Sequence, residues 1–334
     1  MVDGRAAQRG CAQGRGNIVT PPPTAHKPAV LVTGADLAPE ALALLGSYDV
    51  HYAGKTPSEE SIVDLCRTHN PVAIIVRYSK VGAAAMDAAP ALRVISKHGS
   101  GTDTIDKAAA AARGIDVVAA VGANAAAVAE QALALLMTCA KSVVALDARM
   151  RHGHWDKSTH KSVELAGKTI GLIGLGAIGQ RMAAMAHGMD MRVIGHDPYA
   201  KQLPDYIDVV SLDTLWAESD AISLHCPLTD DNREMVNATA LSQCRAGVIL
   251  VNTARGGLVN EQALLAAVRS GHVMAAGLDS FAVEPMAQGH PFQQEPRIIL
   301  SPHIGGVTGA AYVNMGVAAA RNALAVLARH SAHA

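Results

Sequence analysis

The chain has 334 residues, half of them hydrophobic and 17% charged, and its 28 Lys and Arg against 29 Asp and Glu give a formal net charge of −1. That length predicts two domains, each large enough to bury a core; with no basic patch along the folded region, nucleic acid is excluded from the expected partners, and no apolar run is long enough to span a bilayer. Five scattered cysteines, Cys11, Cys66, Cys139, Cys226 and Cys244, form no CxxC pair, so neither a disulfide framework nor a thiolate metal site is expected, which suits a reducing cytoplasm.

Residues 1–27 carry Arg5, Arg9, Arg15 and Pro21-Pro22-Pro23 without the apolar stretch of a secretory signal, and a disordered tail is expected there. From Lys27 onward short apolar strands alternate with helices. Strands are predicted at 29–32, 50–53, 72–76, 93–97 and 116–119, and helices at 39–45, 58–68, 81–88 and 106–113. The longest helical pattern runs from Asn124 to about Met150 and is expected to connect two lobes. After Gly167 the alternation resumes, with strands at 169–175, 191–196, 208–210, 221–225, 248–252, 274–279 and 298–301. The helices between them are expected near 177–188, 212–216, 238–244, 260–270 and 309–329. Such alternation predicts parallel βαβ units, hence an α/β chain of two doubly wound parallel-sheet lobes. The last helix is expected to pack back on the first lobe, which divides the chain into 28–121 plus 304–334 and an inserted 122–303.

The most informative stretch is KTIGLIGLGAIGQRMAAMAHGMDMRVIGHD, residues 168–197. An apolar strand runs into Gly174-Leu175-Gly176-Ala177-Ile178-Gly179, a small-residue helix follows, and a second apolar strand ends at Asp197. This is the strand, glycine turn, helix, strand and acid of a dinucleotide-binding unit. Gly174 permits the tight turn, Gly176 lets the backbone approach a pyrophosphate, and Gly179 lets helix and strand pack closely. The helix N–H groups then face the phosphates. Asp197 would accept from the adenosine ribose hydroxyls and repel a 2′-phosphate, which favours NAD over NADP.

Ligands of open α/β sheets bind beyond the carboxyl ends of the strands. The polar residues at those ends in the second lobe include Asp197, His225-Cys226-Pro227-Leu228-Thr229, Asn252-Thr253-Ala254-Arg255-Gly256-Gly257, Asp279 to Glu284 and Ser301-Pro302-His303-Ile304-Gly305-Gly306. With these blocks, with Lys97-His98-Gly99-Ser100-Gly101-Thr102-Asp103 and with the stretch from Asn124 to Glu130, the chain from about residue 28 resembles the D-isomer-specific 2-hydroxyacid dehydrogenase family. That family contains 3-phosphoglycerate, glycerate and D-lactate dehydrogenases. The resemblance implies a Rossmann NAD-binding domain beside a flavodoxin-like substrate domain.

It also implies roles. His303 would be the acid that protonates a 2-keto acid during reduction and the base in the reverse direction, work suited to an imidazole. Glu284 would be its carboxylate partner, which separates the chain from formate-oxidising relatives with an amide there. Arg255 would grip the substrate carboxylate and polarise the carbonyl. The Ser100 and Gly101 N–H groups would hold that carboxylate, and Asn124 and Val128 would line the cleft. Arg77, after a strand, resembles a residue near the substrate in the phosphoglycerate branch. Gly174, Gly176, Ala177, Ile178, Gly179, Asp197, Thr253, Ala254 and Gly305 are expected around the cofactor. Asp279 would contact its nicotinamide side, and His225, Cys226, Pro227 and Thr229 would wall the adenosine pocket, Cys226 as wall and not as nucleophile. The expected protein is an NAD-dependent oxidoreductase that interconverts a small D-2-hydroxy acid and its keto acid. It is expected to be cytoplasmic, unregulated by any C-terminal extension, and a homodimer built around the long Ala-rich helix. The alternative is a non-catalytic NAD(H)-sensing binding protein of corepressor type.

Overall fold

The computed structural model describes Met1 and residues 27–332; the expected tail falls almost wholly outside the described residues. Two parallel sheets, each with helices on both faces, make the two lobes. The first lobe contains β1 (Ala29–Val32), α1 (Pro39–Leu44), β2 (Asp49–Tyr52), α2 (Glu59–His69), β3 (Ala73–Val76), α3 (Ala83–Asp87), β4 (Val94–Lys97), α4 (Lys107–Ala112) and β5 (Asp116–Ala119). Its strand order is β2-β1-β3-β4-β5, the flavodoxin-like winding. β1, β3 and β4 are buried along their whole length, as strands covered on both faces must be.

Next come α5 (Ala125–Lys141) and α6 (Val143–Arg151). The second sheet holds β6 (Thr169–Ile173), β7 (Arg192–His196), β8 (Ile207–Val209), β9 (Ala221–Leu224), β10 (Val248–Asn252), β11 (Val273–Leu278) and β12 (Ile298–Leu300). Between them lie α7 (Ala177–His187), α8 (Leu212–Glu218), α9 (Ala238–Gln243) and α10 (Glu261–Ser270). The order β12-β11-β10-β9-β6-β7-β8 reverses direction between β6 and β9, the switch point where a Rossmann sheet opens a crevice. The final helix, α11 (Gly309–Ala332), returns to the first lobe. Its Ala319, Ala320, Ala323 and Val326 share a core with Val30, Val32, Ala73 and Val94. Ser96 Oγ donates to the Ala319 carbonyl at 2.8 Å, and Asn322 Nδ2 to that of Ala119 at 2.9 Å.

One expectation is corrected. The long helix is two helices, bent by 59° at Ser142, which takes the left-handed conformation (φ 53°). The returning chain causes the break, because Val163 N donates to Ala140 O at 2.9 Å and Lys141 Nζ donates to Val163 O at 2.8 Å. α5 buries Ala125, Val128, Ala129, Ala132, Leu135, Leu136 and Cys139 at helical spacing, whereas α6 buries none of its residues. Among the described residues no single helix is long and apolar enough to cross a membrane.

Ser58, Asp106, Ser211, Asn237 and Asn260 accept first-turn N–H bonds and cap α2, α4, α8, α9 and α10. α1, α3, α5, α6 and α7 have no side-chain cap. At α7 the N–H groups of Gly176, Ala177 and Ile178 are left unspent among the described residues, whereas at α5 Ala125 N donates to Gly122 O at 3.1 Å.

Candidate active site

The glycine turn follows β6 directly. Gly174 has φ +94°, and a Cβ there would lie 2.6 Å from Cys226 N, against the backbone that leaves β9. A Cβ on Gly179 would lie 2.0 Å from Gly174 O, so only glycine lets α7 approach the turn this closely. Gly176 differs: nothing lies within 4 Å of its missing side chain, and the N–H groups of Gly176, Ala177 and Ile178 donate to no described residue. Open space above unspent donors at a helix N-terminus is what a pyrophosphate requires. Asp197, at the end of β7, accepts from Leu175 N and Tyr199 N, each at 2.8 Å. One carboxylate oxygen thus fixes the glycine turn itself, and its remaining lone pairs are left for a ribose.

The far wall is built from β9 and β10. His225 Nε2 meets Ser223 Oγ at 2.9 Å while Nδ1 is buried without a partner, and burial pushes the imidazole down to about 4. Burial also pushes the Cys226 thiol up to about 11, so it is a protonated wall and not a nucleophile. Pro227 and Thr229 are exposed at the rim. After β10, the buried Asn252 shapes the next turn. Its Oδ1 accepts from Ala254 N at 2.9 Å, and its Nδ2 donates to Arg255 O at 2.8 Å. Thr253 Oγ1 is left buried and unpartnered. The residues present therefore fit a dinucleotide.

His303 and Glu284 meet. Nδ1 of His303 lies 2.6 Å from Glu284 Oε2, and the other carboxylate oxygen accepts from Phe281 N at 2.9 Å. His303 itself sits at φ 56°, an uncommon conformation for a non-glycine residue. The device that holds it there is Asp279, only 1% exposed, which accepts from Ile304 N at 3.0 Å and Gly305 N at 2.7 Å. Gly305 is tight against it, since a Cβ would fall 2.9 Å from Asp279 Oδ2. Gln131 on α5 anchors the same loop through Ser301 Oγ at 2.9 Å. A cavity of about 360 Å³ lined by Phe281, Glu284, Met286, Leu300, Pro302 and His303 opens beside the pair.

Arg255 crosses to the first lobe. Its Nε and Nη2 both lie 2.9 Å from Asp103 Oδ2. It lies directly over Gly101, where a Cβ would be 1.7 Å from Nη2. A side chain at Gly101 would have to push the Arg255 guanidinium aside, and the Ser100 and Gly101 N–H groups donate to no described residue. Arg255 makes no hydrogen bond to His303 or Glu284 among the described residues. The three are joined through packing, because Gly256 abuts the Phe281 backbone so closely that a Cβ would stand 1.9 Å from its carbonyl carbon. Asn124 touches both lobes: its Oδ1 accepts from Ser100 Oγ at 3.3 Å, and its Nδ2 would lie 2.8 Å from a Cβ on Gly306. Val128 is buried on α5 one turn further on. Arg77 is placed elsewhere, turned into the first lobe and paired with Asp36.

The family described as D-isomer specific 2-hydroxyacid dehydrogenase, NAD binding domain, matches residues 133–305. The chain is 40% identical over 248 residues to a hydroxypyruvate reductase of Thermotoga maritima, a match that covers 74% of this chain and 81% of that one. The chain belongs to the D-isomer-specific 2-hydroxyacid dehydrogenase family. It is also 38% identical over 306 residues to a D-3-phosphoglycerate dehydrogenase of Mycobacterium tuberculosis, covering 90% of this chain but 57% of that longer one. The TT0316 protein of Thermus thermophilus superposes with a TM-score of 0.82 at 36% identity, over 90% of this chain and 97% of that chain. Membership makes this dehydrogenase an NAD-dependent oxidoreductase.

Sequence reasoning named Asn252 among the strand-end residues but gave no role to Asp103, which pairs with Arg255, or to Gln131, which anchors the His303 loop. Asp103 lay inside a recognised motif, and its position in a glycine turn was the available signal.

Proposed function

We propose that this chain interconverts a small D-2-hydroxy acid and its 2-keto acid, with His303 donating the proton in reduction and accepting it in oxidation. The observation that carries the reading is the 2.6 Å contact between His303 Nδ1 and Glu284 Oε2. An ionised Glu284 accepts from Nδ1, which makes Nε2 the ring atom that gains and loses the proton. Glu284 also stabilises the imidazolium that carries the proton to the keto oxygen. The substrate carboxylate is assigned to the unspent N–H groups of Ser100 and Gly101, beneath the Arg255 guanidinium. A guanidinium there grips a carboxylate by two parallel bonds and polarises the adjacent carbonyl.

Bound NAD supplies or takes up the hydride. Gly174, Gly176, Ala177, Ile178 and Gly179 would hold its pyrophosphate and Asp197 its ribose. His225, Cys226, Pro227 and Thr229 would wall the adenosine. Thr253, Ala254, Asp279, Gly305 and Val128 would flank the nicotinamide side, and Asn124 would face the substrate. In the proposed division, 28–121 with 304–334 forms the substrate domain and 122–303 the cofactor domain. Both crossovers then lie beside the site, so closure of the lobes excludes water from it.

The protein is proposed to be a homodimer assembled on α6 and the arm that follows. Val143, Val144 and Met150 are 52–54% exposed and Trp155 is 73% exposed, an apolar face that a second copy would cover. The cytoplasm is the proposed compartment, in keeping with four free cysteines among the described residues.

The test is NADH oxidation followed by absorbance with a panel of 2-keto acids. His303→Ala is expected to lower turnover by about 10²–10⁴ while NADH affinity is retained. Undiminished turnover in that variant removes His303 from the role. Tight NADH binding by the native protein with no turnover of any keto acid would instead support the sensor alternative.

A further inference from the structure

Each Glu284 oxygen has a partner, but the segment that carries this residue has little packing of its own. Residues 280–286 form no helix or strand, and Ala282, Val283 and Pro285 are exposed. Among the described residues, the Ala282 N–H is the only main-chain group of that segment hydrogen-bonded to a residue outside it. It donates to Glu261 Oε1 at 2.9 Å.

Glu261 is the first residue of α10, where the helix dipole favours its negative charge. Its other carboxylate oxygen lies 3.3 Å from His290 Nε2, and the two side chains are only 22% and 24% exposed. Nδ1 of His290 accepts from Phe292 N at 3.3 Å, which leaves the ring hydrogen on Nε2, directed at Glu261. The imidazole packs edge-on against the buried Phe292 ring, with 4.8 Å between ring centres. Phe292 belongs to a core cluster of the second lobe, so the brace is anchored there.

Several contacts converge on one turn. Phe281 N donates to Glu284 Oε1 and Ala282 N to Glu261 Oε1, each at 2.9 Å. The peptide between them lies against Gly256, where a Cβ would stand 1.9 Å from Phe281 C and 2.4 Å from Ala282 N. Gly256 follows Arg255, and Glu261 comes just after the short turn Gly256–Leu258. One stretch of chain thus carries the guanidinium at one end and the clamp on the Glu284 turn at the other.

We infer that Glu261, braced by His290, is a positioning residue: it fixes the Phe281–Ala282 peptide and so aims the Glu284 carboxylate at His303, in register with Arg255. This inference rests on the proposed dehydrogenase reading and adds to it the device that sets the acid–base pair. Without Glu261 the turn keeps its contact with Gly256 and its bond to Glu284, which moves with it. A misplacement of about 1 Å at such a pair costs about 10²-fold in rate.

The experiment measures kcat, KM and their pH dependence for reduction of glyoxylate, pyruvate and hydroxypyruvate by NADH, with Tm recorded for every variant. Glu261→Ala is expected to lower kcat by about 10–10²-fold and to leave KM within about twofold, because Arg255 and the Ser100-Gly101 turn stay in place. The alkaline limb of its kcat profile is expected to move to lower pH, since a displaced Glu284 stabilises the imidazolium less. His290→Asn retains an acceptor for Phe292 N but falls short of Glu261, and is expected to shift kcat and the limb the same way. His290→Gln, which reaches Glu261, is expected to restore both. These two variants decide the matter if Glu261→Ala fails to fold. In a Glu284→Gln background Glu261→Ala is expected to lose most of its effect on kcat, since both substitutions act on one contact. Variants that keep the native kcat and limb whatever their Tm, or an undiminished Glu261→Ala effect in the Glu284→Gln background, overturn the inference alone. Turnover of none of the three acids by the native protein overturns the dehydrogenase reading and this inference with it.

Discussion

Asp279 offers the sharpest test of how the proton-transfer loop is built, because two different jobs predict different outcomes. In the structure its carboxylate is 1% exposed and accepts from both Ile304 N and Gly305 N. In the proposed function it also flanks the nicotinamide. Asp279→Asn keeps the shape and removes the charge. The amide can face one of the two N–H groups with its oxygen; the other then meets an NH2. Water cannot fill in, because a Cβ on Gly305 would already lie 2.9 Å from Oδ2. A bond to a charged acceptor contributes about 1.5–3 kcal/mol and a neutral one about 1, while an unsatisfied buried donor costs about 1–3. Weakening one bond and orphaning the other donor therefore sums to about 3 kcal/mol. For a domain of this size that lowers Tm by about 6–12 °C.

The loop carries His303 at φ 56°, so loosening it disperses the imidazole. Turnover is expected to fall by about 10–10²-fold while the NADH dissociation constant changes by less than about threefold, since a small misplacement suffices for a loss of that order. Calorimetry, NADH titration and steady-state kinetics on one preparation decide the matter. An Asp279→Asn protein with unchanged Tm but much weaker NADH binding would refute the loop-holding argument and leave only the cofactor contact.

Gly101→Ala is expected to raise the KM for the keto acid and lower kcat/KM by about 10²-fold or more with NADH affinity intact, because its Cβ would stand 1.7 Å from Arg255 Nη2 and push the guanidinium from the carboxylate seat. Cys226→Ala should leave turnover within about twofold, and Cys226 of the native protein should escape alkylation by iodoacetamide at pH 7.5 in a peptide map, since burial holds that thiol up at about 11. His98 is buried, and burial followed by the Arg77 charge pushes it down to about 4. Between the ordinary imidazole value and about 4 the unfolded chain binds a proton that the folded one does not, so stability falls as pH falls through that window, by at most about 3 kcal/mol. His98→Gln should flatten the acid limb of a Tm-against-pH plot; an unchanged slope would show that His98 is not its source.

The parts of the molecule that were legible beforehand are those in which a local rule has no alternative. Gly174 and Gly179 must be glycine because backbone lies 2.0–2.6 Å from where their Cβ atoms would be, and the spacing of such residues is visible without a structure. The parallel winding of both sheets follows from the alternation of strand and helix. The break at Ser142 was not legible. Apolar residues continue through Val143, Val144 and Leu146, and the cause lies some twenty residues on, where Val163 takes the Ala140 carbonyl. The Asp36–Arg77–Tyr312 network was hidden for the same reason on a larger scale, since Tyr312 lies on α11, at the opposite end of the sequence from Asp36. An arginine after a strand looks the same whether it faces a substrate or a buried acid.

The link between the lobes has a strength suited to its place. Arg255 is 31% exposed and Asp103 58% exposed, so their bridge sits in water. Such pairs contribute about 0–1 kcal/mol. The same arginine lies over the unspent donors of Ser100 and Gly101, where an arriving carboxylate would collect two N–H bonds as well as the guanidinium. In the proposed site the exchange of Asp103 for substrate would therefore run downhill: a solvated pair would be given up, and charge-assisted bonds would form in a cleft that closure would then dry. A buried Arg255–Asp103 bridge would have locked the lobes together against substrate, and an absent one would have left Arg255 to wander. In the proposed role, an exposed bridge would keep the guanidinium aimed and yield it to the substrate.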